Sequence, residues 1–374
     1  MPQPQYDIPT TATTNTKIRY LGEGSYGCTF YPGLNCNYKN ENVKFITKIQ
    51  KEKYNANETT ISTIIRSKIP KYALYYAPIL KTCPVDIAVL SEINKNEIVQ
   101  KCGVIRKRKA DDTFVSNRMR YAGRNTLEDF LFDNGRLTSE FLFLDSYLYL
   151  LNAFHKLDKI NIIHYDIKEN NIIYNEYRDT PIIIDFGLSW EYTTPPTITA
   201  TATTAEDLRT HFYIYAPEYA PWSFEIHLIS YLVSAQTKIN IKNNSANMNT
   251  IRKIMDEFVA KNPLFRYLNK GSFIEKTTAF YESMLAQQPN QTWEIFIYQL
   301  MEATHKTWNN YGVAVVYFFF IKIYELQVAE LEEILTHILM NTGSGAGTGT
   351  TDTETTTENR MDCITTSRLL KKIM

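Results

Sequence analysis

Apolar and polar positions alternate with a period of two over residues 17–21 (Lys-Ile-Arg-Tyr-Leu), which predicts a strand. Residues 28–32, 43–49 and 113–119 read as further strands. Two shorter apolar runs, 171–174 and 181–184, predict strands that are each joined to a polar loop. Elsewhere the period is helical. In 57–65 the apolar residues Ile61, Ile64 and Ile65 share one face. After Thr138 or Ser139, either of which can cap a helix, Phe141, Leu144, Leu148, Leu151 and Phe154 recur at helical spacing and are expected to face a core. Residues 221–233 and 251–258 predict helices separated by a polar loop, 240–249. The longest apolar run, 311–321, ends at Lys322. It is well short of the ~20 residues a membrane span needs and reads as a buried helix. Residues 360–374 predict a final short helix.

Composition narrows this picture. The 374 residues could form two or three domains on length alone. Lys+Arg and Asp+Glu both number 40, which argues against a chain-wide nucleic-acid footprint. The basic run Arg106-Lys107-Arg108-Lys109 is expected to be a solvated loop tip. Residues 1–16 are polar and Thr/Pro-rich, without the apolar segment of a signal peptide, and predict a disordered tail. Residues 341–359 predict a flexible low-complexity linker. Cys28, Cys36, Cys83, Cys102 and Cys363 are scattered, with no C-x-x-C and no His cluster nearby, so zinc is not expected. Reduced thiols in a cytosolic compartment are the simplest expectation.

Candidate chemistry concentrates in residues 160–188. The loop His164-Tyr165-Asp166-Ile167-Lys168-Glu169-Asn170-Asn171 precedes the first short strand, and Asp185-Phe186-Gly187 follows the second. Asp166, Asn171 and Asp185 therefore place two carboxylates and an amide oxygen beside buried β structure. Charge is not left at a core without a partner, and a hard cation such as Mg²⁺ takes oxygen ligands. Near the start of the chain, Gly22, Gly24 and Gly27 let a backbone turn tightly and approach a phosphate. This G-x-G-x-x-G leads into a strand rather than the helix of dinucleotide-binding folds.

In this order, H-x-D-x-x-x-x-N followed by D-F-G resembles the catalytic and metal-binding segments of eukaryotic-type protein kinases. The resemblance implies an α+β, bilobal protein-kinase-like fold: a small, mainly antiparallel β lobe over 17–123 and a larger, mainly helical lobe over 124–340. Within it, Gly22, Glu23, Gly24, Ser25, Tyr26 and Gly27 would form the phosphate lid. Lys48, with Lys44 as competitor, would contact the α- and β-phosphates of ATP, held by Glu58 or, second, Glu52. Residues 120–123, with Tyr121, would carry the adenine through backbone groups. Asp166 would be the catalytic base and Lys168 would neutralise charge on the transferred phosphoryl group. Asn171 and Asp185 would hold Mg²⁺, or Mn²⁺ in its place. His164 would pack rather than catalyse. Ala216-Pro217-Glu218 resembles the A-P-E segment, with Arg360 a candidate ion-pair partner for Glu218. Thr307-Trp308-Asn309-Asn310-Tyr311 resembles the segment that supports the catalytic loop, with Asn309 in place of aspartate. That register makes residues 222–305 a helical insertion and 360–374 a helix of the large lobe.

A lysine two residues after the aspartate resembles serine/threonine kinases, so Ser/Thr-bearing proteins are the expected substrates. Nucleic acid and a membrane span are not expected. The pattern also resembles the kinases of large nucleocytoplasmic DNA viruses, which implies a cytoplasmic location, in the host cytoplasm or the virion. Three positions depart from the family. Ser62 stands where an apolar residue is usual, Tyr165 stands where many kinases have the arginine that pairs with a phosphorylated loop, and Asn309 replaces aspartate. Tyr165 predicts activity without phosphorylation of the threonine-rich loop 193–204. A scaffold without chemistry and a small-molecule kinase are the alternative readings. Retention of Lys48, Asp166, Asn171 and Asp185 argues against the first, and the A-P-E segment argues against the second.

Overall fold

Alternation in the first 120 residues is realised as strands. In the computed structural model these are β1 (Arg19–Glu23), β2 (Gly27–Tyr31), β3 (Phe45–Lys51), β4 (Ile79–Val85) and β5 (Phe114–Arg120). Every neighbouring pair is antiparallel, in the order β1-β2-β3-β5-β4. The structure describes residues 18–24, 26–39, 44–93, 97–175, 178–193, 205–234, 237, 239–344 and 359–374. The expected tail 1–16, Ser25, loop residues 194–204 and linker residues 345–358 lie outside them. Two compact units divide the chain. One holds residues 1–123 and 182–187; the other holds 124–181 and 188–374. Residues 182–187, including Asp185, belong to the first unit rather than to the helical one.

The first unit adds α1 (Asn55–Lys68), α2 (Ile87–Ile93), α3 (Glu97–Lys101) and α4 (Gly103–Arg106). Its core gathers Cys28, Phe30, Ile49, Leu90, Cys102 and Phe114. A Cβ on Gly27 would overlap the Ile49 carbonyl oxygen, so this glycine serves the close approach of β2 to β3. At Gly22 and Gly24 a Cβ would meet nothing within 4 Å. Ser62 is buried on α1 and its hydroxyl accepts the Ile79 N–H at 3.0 Å, a bond no apolar residue could make. The expectation of reduced, scattered thiols is corrected here. Cys28 pairs with Cys102 and Cys36 with Cys83, across sequence separations of 74 and 47. Cys363 is free and buried.

The second unit is mainly helical. It begins with β6 (Asn125–Thr126), α5 (Leu127–Leu131) and the β7–β8 hairpin (Phe132–Asp133, Arg136–Leu137). Thr126 and Asp129 cap α5 reciprocally. Next is α6 (Glu140–Asp158), whose N-cap is Ser139. Its buried side includes Phe143, Tyr147, Leu150, Leu151 and Phe154, whereas Phe141 is 67% exposed. Of the expected face, Leu151 and Phe154 are buried, Leu144 and Leu148 are half-buried, and only Phe141 points away; α6 contacts both α11 (Trp293–Ile323) and α13 (Cys363–Ile373). Apolar residues therefore occupy more than one stripe of it.

Short strands β9 (Ile162–Ile163) and β10 (Ile172–Asn175) frame the polar loop, and β10 pairs with β6. Strand β11 (Thr180–Ile183) carries the chain from the second unit into the first, and β12 (Trp190–Glu191) pairs with β9 after its return. Then come α7 (Ala205–His211), α8 (Phe224–Val233), α9 (Met248–Lys261), α10 (Lys270–Gln287), α11, α12 (Ala329–Met340), β13 (Thr342–Ser344), β14 (Asn359–Arg360) and α13. Residues 222–305 thus form α8, α9, α10 and the start of α11. The apolar run 311–321 lies within α11 and is buried apart from Phe319. Among the described residues no helix is long and apolar enough to cross a membrane.

Candidate active site

In the first unit the sheet presents Lys48 from β3 to Glu58 from α1. The ammonium lies 3.0 and 3.3 Å from the two Glu58 oxygens and 3.0 Å from Asp185 Oδ1. The structure thereby selects Glu58 over Glu52, which sits in a short 3-10 turn before α1. Burial disfavours the Lys48 charge, but the Glu58 and Asp185 carboxylates outweigh it and hold the amine above its ordinary range. Lys48 is therefore an ammonium at any working pH. Burial pushes the Glu58 carboxyl up, against the pull of Lys48. Gln50 Nε2 donates to Glu58 Oε2 at 3.2 Å and to Asn55 Oδ1 at 2.9 Å, and Asn117 Nδ2 also donates to Asn55 Oδ1. This amide chain fixes Glu58 from behind. Sequence reasoning missed it, because Gln50 and Asn117 lie on neighbouring strands that only pairing brings together.

Asp185 adopts a φ of 60°, a backbone region unusual for a residue with a side chain. Its side chain is 41% exposed. Phe186 is buried edge-on to Tyr76, and Asn57 Nδ2 donates to the Gly187 carbonyl, so the two residues that follow Asp185 are anchored in the first unit. Replacing Glu58 by Gln removes the negative charge beside Lys48 and turns one of its two acceptor oxygens into a donor. We expect kcat/KM for ATP to fall about ten- to hundredfold, the worth of one charged hydrogen bond, in a steady-state titration of ATP.

The Gly24 N–H donates to the Gly27 carbonyl at 2.9 Å and closes the turn between β1 and β2. Glu23 turns its carboxylate to α4, accepting the Gly103 N–H at 2.8 Å, and so braces the end of β1. Tyr26 packs against Tyr54 with the rings tilted and their centroids 4.4 Å apart. The Tyr121 N–H donates to the Lys44 carbonyl, so that group is already committed, and its ring lies on Tyr31.

In the second unit, α11 holds the polar loop. Asn309 Oδ1 accepts the His164 N–H at 2.9 Å, while its Nδ2 donates to the Ile162 carbonyl at 2.9 Å and to Asp158 Oδ1 at 2.7 Å. An amide can do both; an aspartate could only accept. Gly312, one turn on, lets α11 approach Ile167, which a Cβ would meet at 3.0 Å. His164 is fully buried with its carbonyl bonded by Ser189, as expected of a packing residue. Tyr165 is also buried, at φ 67°, with its ring against Trp222 and Phe212 and its carbonyl accepting the Trp222 indole N–H.

Asp166 emerges from this frame. Lys168 Nζ lies 3.0 Å from its Oδ1 and 2.8 Å from its Oδ2. Asn171 Nδ2 donates to Asp166 Oδ2 at 2.9 Å and to the Asp166 carbonyl at 2.8 Å. The Tyr219 hydroxyl donates to Oδ1 at 3.1 Å. Tyr219 was not anticipated; its only sequence signal is its place directly after A-P-E. With its nitrogen spent on Asp166, Asn171 keeps its amide oxygen for a hard cation, and the Asp185 carboxylate is the same kind of donor. The donor chemistry therefore fits a divalent metal.

One expectation is corrected. Glu218 is exposed, and Arg360 pairs instead with Glu225 at 3.0 Å, both side chains being buried. The cause is β14, which pairs with β13 and holds Arg360 within reach of α8. Asp158, the Asn309 partner, is pushed up to about 7 by burial, against hydrogen bonds from Asn309 and Cys363. A carboxyl whose folded pKa is raised contributes stability below its unfolded value and loses it as pH rises through the folded one. The chain should therefore lose roughly 1–2 kcal/mol between pH 4 and pH 8 from this half-buried group. Asp158→Asn should flatten that slope in urea unfolding across the range.

An antiparallel sheet carrying an ion-paired lysine, and a helical unit carrying an aspartate, lysine and asparagine on one loop, are the parts of a protein-kinase fold. The family profile described as protein kinase domain matches residues 15–308, and the chain belongs to that family. Its members are phosphotransferases that use ATP and a divalent metal. Among solved structures, the chain is similar to the Cydia pomonella granulovirus kinase PK-1, with 17% identity over 70% of this chain and 87% of that one, at a TM-score of 0.34. No curated protein matches.

Proposed function

We propose that the chain is a serine/threonine protein kinase that transfers the γ-phosphoryl group of Mg²⁺–ATP to protein hydroxyls. The observation that carries this is the Asp166 carboxylate, held in one orientation by Lys168 and Asn171 two and five residues away. The substrate oxygen forms a bond to the γ-phosphorus, the bond to the β–γ bridging oxygen breaks, ADP leaves, and the hydroxyl proton passes to Asp166. Lys168 neutralises charge on the phosphoryl group, and Lys48, held by Glu58, orients the α- and β-phosphates. A metal held by Asn171 and Asp185 would supply charge neutralisation of the phosphates. Tyr165, buried among aromatic rings, offers no cation to a loop phosphate, which supports activity without that modification. Site retention favours catalysis over a scaffold role. The viral resemblance points to host cytoplasm or virion.

The test is transfer of labelled phosphate from Mg²⁺–ATP to the chain itself and to generic acidic and basic proteins, followed by phosphoamino-acid analysis. Phosphoserine or phosphothreonine is the expected product. Phosphotyrosine would overturn the hydroxyl class. Transfer to metabolites but to no protein would move the chain to small-molecule kinases.

A further inference from the structure

We propose that Tyr219 is a positioning residue for the catalytic base: its hydroxyl holds one Asp166 oxygen in place while Lys168 gives up its own contacts to phosphate and substrate. This rests on the kinase reading above and names a part of the site that the motifs do not contain.

Four donor contacts converge on the carboxylate. Oδ1 takes Tyr219 at 3.1 Å and Lys168 at 3.0 Å; Oδ2 takes Asn171 at 2.9 Å and Lys168 at 2.8 Å. A carboxylate offers about four lone-pair sites, so none is left for a substrate hydroxyl until a donor withdraws. Lys168 is the donor able to do so. Its side chain is 39% exposed, and it is a cation that a phosphoryl group attracts. Once it withdraws, each oxygen keeps one neutral donor, Asn171 on one and Tyr219 on the other. The carboxylate plane stays fixed while one site opens on each oxygen.

Tyr219 is built to stay. Its N–H donates to the Ala216 carbonyl at 2.9 Å, and its own carbonyl is 3.3 Å from His227 Nε2. Its ring lies edge-on to Trp222, which in turn bonds the Tyr165 carbonyl within the catalytic loop. Burial, then the Asp166 charge, raises the phenol well above its ordinary range, so it remains a donor. The segment after A-P-E is thereby strapped to the catalytic loop through neutral aromatic contacts.

Tyr219→Phe removes one oxygen atom and keeps the ring. In steady-state kinetics with Mg²⁺–ATP and a protein substrate, kcat should fall about ten- to hundredfold, while KM for ATP and Tm match wild type. An unchanged or raised kcat overturns the inference. So does a fall in kcat that comes with an equal loss of thermal stability, which would mark Tyr219 as structural only. Wild type measured alongside separates the two readings. Transfer by wild type matched by Tyr219→Phe removes only this inference; no transfer by folded, ATP-binding wild type removes the kinase reading and this inference with it.

Discussion

Asp166→Asn is expected to lower phosphate transfer about a hundred- to ten-thousandfold, the usual worth of a general base. The substitution is isosteric and Asp166 is only partly buried, so folding should hold. The chemistry should not. An amide cannot take the substrate proton, and its neutrality leaves Lys168 without the negative charge it now meets 2.8 Å away. Geometry makes matters worse. Both Asp166 oxygens accept hydrogen bonds, so whichever way the new amide turns, its NH₂ faces a donor: Lys168 with Tyr219 on one side, or Lys168 with Asn171 on the other. Single-turnover transfer from labelled ATP, with nucleotide binding followed by thermal shift, separates lost chemistry from lost binding. A variant that transfers phosphate within tenfold of wild type would remove Asp166 from the role of base.

The second large effect is on stability. Arg360→Met should cost roughly 3–5 kcal/mol, because it strands a buried carboxylate. The guanidinium meets Glu225 through its two terminal nitrogens, at 3.0 and 3.2 Å, and also reaches the Thr307 hydroxyl and, through Nε, the Ile338 carbonyl. It lies 4.8 Å from the Tyr311 ring centroid. Glu225 and Arg360 are 0% and 1% exposed, so water cannot replace either partner. The double variant Arg360→Met with Glu225→Leu removes both charges and should recover much of the loss. Chemical unfolding of the three proteins decides this. A single variant costing less than about 1 kcal/mol would show that the pair does not hold β14 to α8.

Much of the site was legible in the chain because its chemistry uses short, ordered spacings. Asp166, Lys168 and Asn171 lie on one loop, and Lys48 and Glu58 are ten residues apart on successive elements. Even the support from α11 could be read, since the side chain of Asn309 stands in a distinctive run beside Trp308. The partners that complete these groups were harder to find. Arg360 was matched to Glu218 when it pairs with Glu225, 135 residues away. Tyr219, 53 residues beyond Asp166, and the Gln50–Asn55 amides behind Glu58 went unnoticed. Phe141 was assigned to a core that α6 fills with Phe143 and Tyr147, because a helix covered on two sides carries apolar residues on more than one face.

By itself, then, the sequence determined which reactive groups are present, their order, and the strands and helices that carry them, since these follow from local spacing and periodicity. Tertiary structure alone decided which donors fill the lone pairs of Asp166, which carboxylate neutralises Arg360, and which cysteines meet. Apart from Lys168 and Asn171, which lie beside Asp166 in the chain, these contacts join residues 47 to 135 positions apart, selected by burial and hydrogen-bond satisfaction rather than by anything written between them.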